Sequence, residues 1–94
     1  MAYQRVITTA AARSLKRLSQ NAQEALLEAT IALTTDPYAG ERLHGPLSFL
    51  FSFHFKFGNV QYRVAYTIDT DRGLIIIHYV GPRENFYERL RRLF

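Results

Sequence analysis

Between Phe49 and Phe57 every odd position is phenylalanine, and Leu50, Ser52, His54 and Lys56 stand between them. Strict period two predicts a strand with one apolar face and one mostly polar face. Gly58-Asn59 follows, a two-residue hairpin turn with glycine first. Beyond it Val60, Tyr62, Val64, Tyr66 and Ile68 alternate with Gln61, Arg63, Ala65 and Thr67. A two-residue loop sets Phe57 opposite Val60 and Phe55 opposite Tyr62, so both apolar faces coincide. The same register sets His54 opposite Arg63 and Lys56 opposite Gln61. Lys56 is then a diagonal neighbour of Arg63, within reach of side chains this long.

The flanking segments complete an α+β domain spanning residues 1–94. Tyr3 to Thr8 reads as a short strand. Thr8 or Thr9 caps a helix over Ala10 to Leu18, with Ala11, Leu15 and Leu18 on one face. Ser19 caps a second helix over Gln20 to Thr35, striped by Ala22, Leu26, Ala29 and Leu33. Asp36-Pro37 ends it, because proline disfavours helical geometry in the residue before it. Pro37 to Ser48, with two glycines and two prolines, reads as a loop. Leu74 to Val80 is an almost unbroken apolar run, as in a strand covered on both faces. The expectation is an N-terminal strand and two helices, a three-strand antiparallel meander, and a C-terminal helix. Gly81-Pro82 is read as the break before that helix, with Pro82 opening it. Phe86, Leu90 and Leu93 would form its buried face, and Arg83, Tyr87 and Arg91 an adjacent one.

Composition narrows the chemistry. The 94 residues fit one domain, and a 48% hydrophobic content can supply its core. There is no cysteine, which excludes disulfides and thiolate-bound metals and fits a cytoplasmic protein. No long apolar run marks a signal peptide or a membrane span. Net charge is +4, and ten of the twelve basic residues are arginine. Arginine's planar fork suits phosphate better than lysine's point charge does. The bland reading of such a balance is solvated surface charge facing an acidic partner protein.

His54, Lys56, Arg63, Arg83 and Tyr87 can share one surface, and no carboxylate lies on the strand positions that form it. Glu84 and Glu88 would each be turned about 100° away on the helix. Bases without acids suit neither a two-carboxylate glycosidase nor a metal-dependent nuclease. They suit an anionic phosphodiester. Cleaving RNA without a metal needs a base for the 2′-hydroxyl, positive charge for the phosphate and a proton for the leaving oxygen. Each residue has a plainer reading. Lys56 alone is an ordinary solvated lysine, and His54 an ordinary surface histidine. Arg63 could serve a structural ion pair and Tyr87 the core. His78, in the apolar strand, is read as structural, and His44 is left unassigned. The three histidines lack metal-ligand spacing, and no phosphate-cradling glycine motif or G-x-S-x-G occurs. No metal or cofactor is expected.

With these pieces in place the chain resembles the RelE/ParE superfamily of type II toxins. The matching parts are Tyr3 to Leu18, Leu43-His44-Gly45, Phe53 to Ile68 with Tyr62-Arg63-Val64, Val80-Gly81-x-Arg83, and Phe86-Tyr87. The resemblance covers nearly the whole chain and implies a RelE-like fold. In that superfamily the RelE branch cuts mRNA in the ribosomal A site, whereas the ParE branch poisons DNA gyrase and usually lacks the cutting residues. RelE-like catalytic positions fall on Lys56, Arg63, Arg83 and Tyr87, which favours RNA cleavage over gyrase poisoning. Lys56, Arg63, Arg83 and Arg91 would bind RNA. His54 stands where a RelE-like enzyme often has lysine, so either His54 or Tyr87 would take the 2′-hydroxyl proton. In-line attack would leave a 2′,3′-cyclic phosphate and a 5′-hydroxyl. The implied partners are mRNA, the ribosome and a cognate antitoxin protein.

Overall fold

A computed structural model describes residues 2–94. Five strands form one mixed sheet: β1 (Gln4–Ile7), β2 (Glu41–Arg42), β3 (Phe51–Phe57), β4 (Val60–Asp69) and β5 (Leu74–Pro82), in the order β1-β5-β4-β3-β2. β3, β4 and β5 are the antiparallel meander, and β1 joins β5 in parallel. The hairpin register is the one expected: Phe57 faces Val60, Phe55 faces Tyr62, Lys56 faces Gln61 and His54 faces Arg63. Gly58 takes φ +60°, where a side chain would be strained.

Helices cover both faces. α1 (Thr9–Lys16) and α2 (Gln20–Ala29) pack Ala11, Ala22 and Leu26 against Val64, Tyr66, Ile75 and Ile77. On the other face α4 (Phe86–Arg91) and the loop before β3 pack Phe86, Leu90, Leu47 and Leu50 around Ala65 and Tyr79. Thr8 and Ser19 cap α1 and α2, accepting from Ala11 N at 3.1 Å and Ala22 N at 3.2 Å. Among the described residues no helix is long and apolar enough to cross a membrane.

Four local features depart from the sequence reading. The Gln20–Thr35 helix is broken, because α2 ends at Ala29 and α3 resumes at Ala32–Thr35. At the break Leu27 O accepts from both Arg5 Nη1 and, at 3.0 Å, Thr30 Oγ1, and Arg5 Nη1 also donates to Thr30 Oγ1 at 2.8 Å. With Leu27 O occupied, Ile31 N–H falls back on Glu28 O, a tighter bond of the 3₁₀ kind. The Pro37–Ser48 loop contains β2, which pairs Glu41 with Ser52 and Arg42 with Phe51. Phe49 lies outside β3 and is exposed, whereas Leu50 is fully buried. Last, β5 runs on through Gly81-Pro82, so Pro82 closes a strand instead of opening a helix. Proline is tolerated at such a strand end, and the ladder continues past it through Arg83 N–H to Gln61 O, 2.8 Å. Asn85, at φ +59°, then turns the chain into α4.

β5 also carries a bulge. Ala65 pairs with Tyr79 but Tyr66 with Ile77, so His78 is the extra residue. The bulge shifts side-chain parity along β5. Ile77 and Val80 therefore both face α1 and α2, and Tyr79 turns toward α4. His78 bonds Thr67 Oγ1 at 2.9 Å and meets Phe94 edge to face. Burial holds its pKa below the ordinary histidine value.

One contact offers a test of the packing. The fully buried Tyr66 hydroxyl accepts from Gly40 N at 3.0 Å and donates to Pro37 O at 2.7 Å. A Cβ on Gly40 would lie 2.6 Å from Tyr66 Oη and 2.8 Å from Ser52 O. Gly40→Ala should therefore destabilise the fold by about 1–3 kcal/mol, the usual scale of overpacking, read as a lowered urea midpoint. An unchanged midpoint would mean that this corner yields without cost.

Candidate functional site

The sheet leaves part of its α4 face uncovered where β3 and β4 run beyond the helix. His54 and Lys56 stand there on β3, exposed, with Arg63 half-buried beside them on β4. α4 borders this surface. Buried Phe86 and Leu90 anchor the helix, and half-buried Tyr87 and exposed Arg91 follow on a neighbouring face. Arg63 Nη1 donates to Tyr87 Oη at 2.6 Å, and its guanidinium carbon lies 5.1 Å from the ring centroid. Phe86 meets the Tyr87 ring edge to face at 5.5 Å and limits its movement. Arg63 thus finds its partner in the Tyr87 hydroxyl, and among the described residues neither it nor His54 or Lys56 forms an ion pair.

Three open clefts adjoin. One, of about 200 Å³, is lined by His54, Lys56, Gln61 and Arg63 among others. A second, of about 450 Å³, lies between Asn59–Gln61 and Pro82–Glu84. Gln61 lines both. The third, of about 390 Å³, runs between Leu43–Leu47 and α4, lined by His44, Tyr87 and Arg91 among others. The Arg63–Tyr87 bond links the first cleft to the third.

The expected helix face of Arg83, Tyr87 and Arg91 is corrected, because only Tyr87 and Arg91 are on α4. Arg83 projects instead from the end of the β5 ladder, exposed, with Nη1 3.2 Å from Gln61 Oε1. The displacement of Glu84 from this surface is corrected too. Neither residue is helical, and Glu84 lines the same cleft as Arg83. Two contributors escaped the sequence reading. Gln61 grips Arg83 through both backbone and side chain, and His44 forms a wall opposite Tyr87. Gln61 was visible as the register partner of Lys56. His44 lies in the Leu43-His44-Gly45 match to the superfamily, but its place beside Tyr87 depends on the loop's path and no register fixed it. Among the described residues no group of three or more His, Asp or Glu is placed to hold a metal ion.

A family model for the ParE-like toxin of type II bacterial toxin–antitoxin systems matches residues 6–91. The chain belongs to this family. The toxin has no match among curated protein sequences. Its structural neighbours include RelE toxins and their complexes. A chain of the toxin–antitoxin complex RelBE2 from Mycobacterium tuberculosis is 29% identical to it, with a TM-score of 0.77 over 88% of the toxin and 100% of that chain. An E. coli RelE mutant in the free state shares the fold at 16% identity, TM-score 0.76, over 100% of both chains. The archaeal RelE–RelB complex from Pyrococcus horikoshii shares it at 24% identity and TM-score 0.63, over 89% of the toxin and 98% of the matched chain. The toxin is thus a RelE/ParE superfamily member whose fold lies with RelE.

Proposed function

We propose that the toxin is a metal-independent endoribonuclease that cuts mRNA in the ribosomal A site. The observation that carries this reading is the Arg63–Tyr87 hydrogen bond on a basic surface with His54 and Lys56 close by. Arg63 and Arg83 clamp the scissile phosphate, and Lys56 stabilises charge that develops on it. Arg91 holds the RNA along the cleft beside His44. Tyr87 moves the proton, because the Arg63 N–H beside its oxygen stabilises negative charge there during transfer. Tyr87 Oη takes the 2′-hydroxyl proton as the 2′-oxygen bonds to phosphorus. The bond to the 5′-oxygen breaks, and the leaving oxygen receives a proton from Tyr87, so the tyrosine ends as it began. The products are a 2′,3′-cyclic phosphate and a 5′-hydroxyl.

Toeprinting of translated mRNA with added toxin tests this reading. Breaks at A-site codons are the expected result. Intact mRNA together with DNA-linked gyrase would assign the toxin to gyrase inhibition instead.

The toxin's neutralising partner is a cognate antitoxin, as the neighbouring RelBE2 and RelE–RelB complexes suggest. With a net charge of +4 and exposed His54, Lys56, Arg83 and Arg91, the segment that covers the site should bear carboxylates. Association should then slow about tenfold or more as salt rises from about 50 to about 500 mM, because screening removes electrostatic steering. A rate indifferent to salt would mean that apolar contacts or strand pairing make the seal.

A further inference from the structure

α4 carries arginines on two sides. Tyr87 and Arg91 face the clefts described above, whereas Arg89 and Arg92 lie roughly 140–200° around the helix from Tyr87. Arg89 and the α4 C-cap Arg92 meet Arg13 and the α1 C-cap Arg17 across a separate cleft of about 290 Å³, with Tyr79 and Ser14 also in its lining. All four arginines are exposed. None has a carboxylate partner, since the one ion pair among the described residues is Arg72–Asp69. Helix dipoles favour cations near helix C-termini, but they do not require two helices to turn them into one cleft. The walls are fixed. Ser14 Oγ accepts from Val80 N at 3.1 Å in the buried interior, pinning α1 to the edge of β5 beyond β1. Phe86 and Leu90, both fully buried, pin α4. The fold therefore holds four like charges around one cleft, and among the described residues none of the four is in an ion pair.

We propose that this α1–α4 cleft is a second RNA site, gripping the sugar–phosphate backbone of folded RNA on the opposite side of α4 from the cutting site. Arginine forks match phosphate oxygens two at a time. Each helix presents its pair about one turn apart, close to the spacing of neighbouring phosphates along a strand. A sequence-blind backbone grip needs no base-reading groups, and the arginines alone provide it. Arginine clusters also recognise acidic peptides. The RNA backbone is the better match because its phosphates recur at a regular spacing that the paired arginines on the two helices meet, and a poly-glutamate competitor distinguishes the two.

The test measures equilibrium binding of the full-length toxin to a labelled RNA duplex of about 16 base pairs, without ribosomes, from about 50 to about 250 mM salt. The Arg13→Gln, Arg17→Gln, Arg89→Gln, Arg92→Gln variant should bind about tenfold or more weakly. Its slope of log affinity against log salt should fall by about two to four. Lysine at the same four positions should restore most of the slope, and Arg72→Gln should leave it at the wild-type value. A glutamine variant with the wild-type slope overturns the proposal. So does poly-glutamate that binds as tightly as the duplex and through the same four arginines, because the site would then be one for acidic peptides. The duplex assay involves no cleavage. Loss of the A-site cutting reading would thus leave this result standing, and the reverse holds equally.

Discussion

Replacing Arg83 with alanine is expected to leave the toxin folded and to lower ribosome-dependent cleavage a hundredfold or more. Its guanidinium is exposed and its side-chain hydrogen bond is to Gln61 Oε1. The backbone bond that sets its position, Arg83 N–H to Gln61 O, survives the substitution. Folding should therefore barely register the change. Removing one preorganised charge from a phosphoryl transition state typically costs about 3 kcal/mol, which is the hundredfold or more in rate. Gln61→Ala should act in the same direction more weakly, because it frees the Arg83 side chain without removing the charge. Single-turnover cleavage on programmed ribosomes, paired with thermal melts, separates the two effects. A folded Arg83→Ala toxin that cuts at the wild-type rate would remove Arg83 from the mechanism.

What the sequence disclosed here, and what it hid, has a physical pattern. The β3–β4 hairpin was legible because two independent signals agreed, the Gly58-Asn59 turn and the coincidence of apolar faces. That register alone brought His54, Lys56 and Arg63 together. The bulge at His78 was hidden because Leu74–Val80 is apolar almost throughout, so an extra residue breaks no visible alternation. Gly81-Pro82 misled because the pair is a strong breaker, and only the waiting Gln61 carbonyl shows that the ladder continues past it. At the α2–α3 break the Thr30 hydroxyl competes locally for Leu27 O, but Arg5, more than twenty residues away in the chain, joins it there, and no local pattern carries that part. Likewise β2 is two polar residues whose pairing depends on where β3 lies. Residues on regular elements with a fixed register could be placed from sequence. Those set by a tertiary contact or by a loop's path, such as His44, could not.

The assignment of the proton turns on Tyr87 and His54. Both border the phosphate position in the proposed reading, but their settings differ. Tyr87 is half-buried, braced edge to face by Phe86, and bonded through its oxygen to Arg63 at 2.6 Å. In that reading Tyr87 is a preorganised proton-transfer group with a fixed charge beside the atom that changes protonation. His54 is exposed on β3 and its structural link to the site is its ladder position opposite Arg63. Tyr87→Phe keeps the ring, the Phe86 contact and the helix, and deletes only the oxygen. It should lower single-turnover cleavage by about two to four orders of magnitude, the scale of losing an acid or base group. His54→Lys should cut at close to the wild-type rate, since a cation is all that position would contribute. His54→Gln should lose far less than Tyr87→Phe. The reverse ordering, with His54→Gln and His54→Lys both nearly inactive and Tyr87→Phe active, would make the imidazole the base and reduce Tyr87 to a brace for Arg63. Melting temperatures of the three variants decide whether any loss reflects chemistry, because Tyr87→Phe also leaves Arg63 without its hydrogen-bond acceptor.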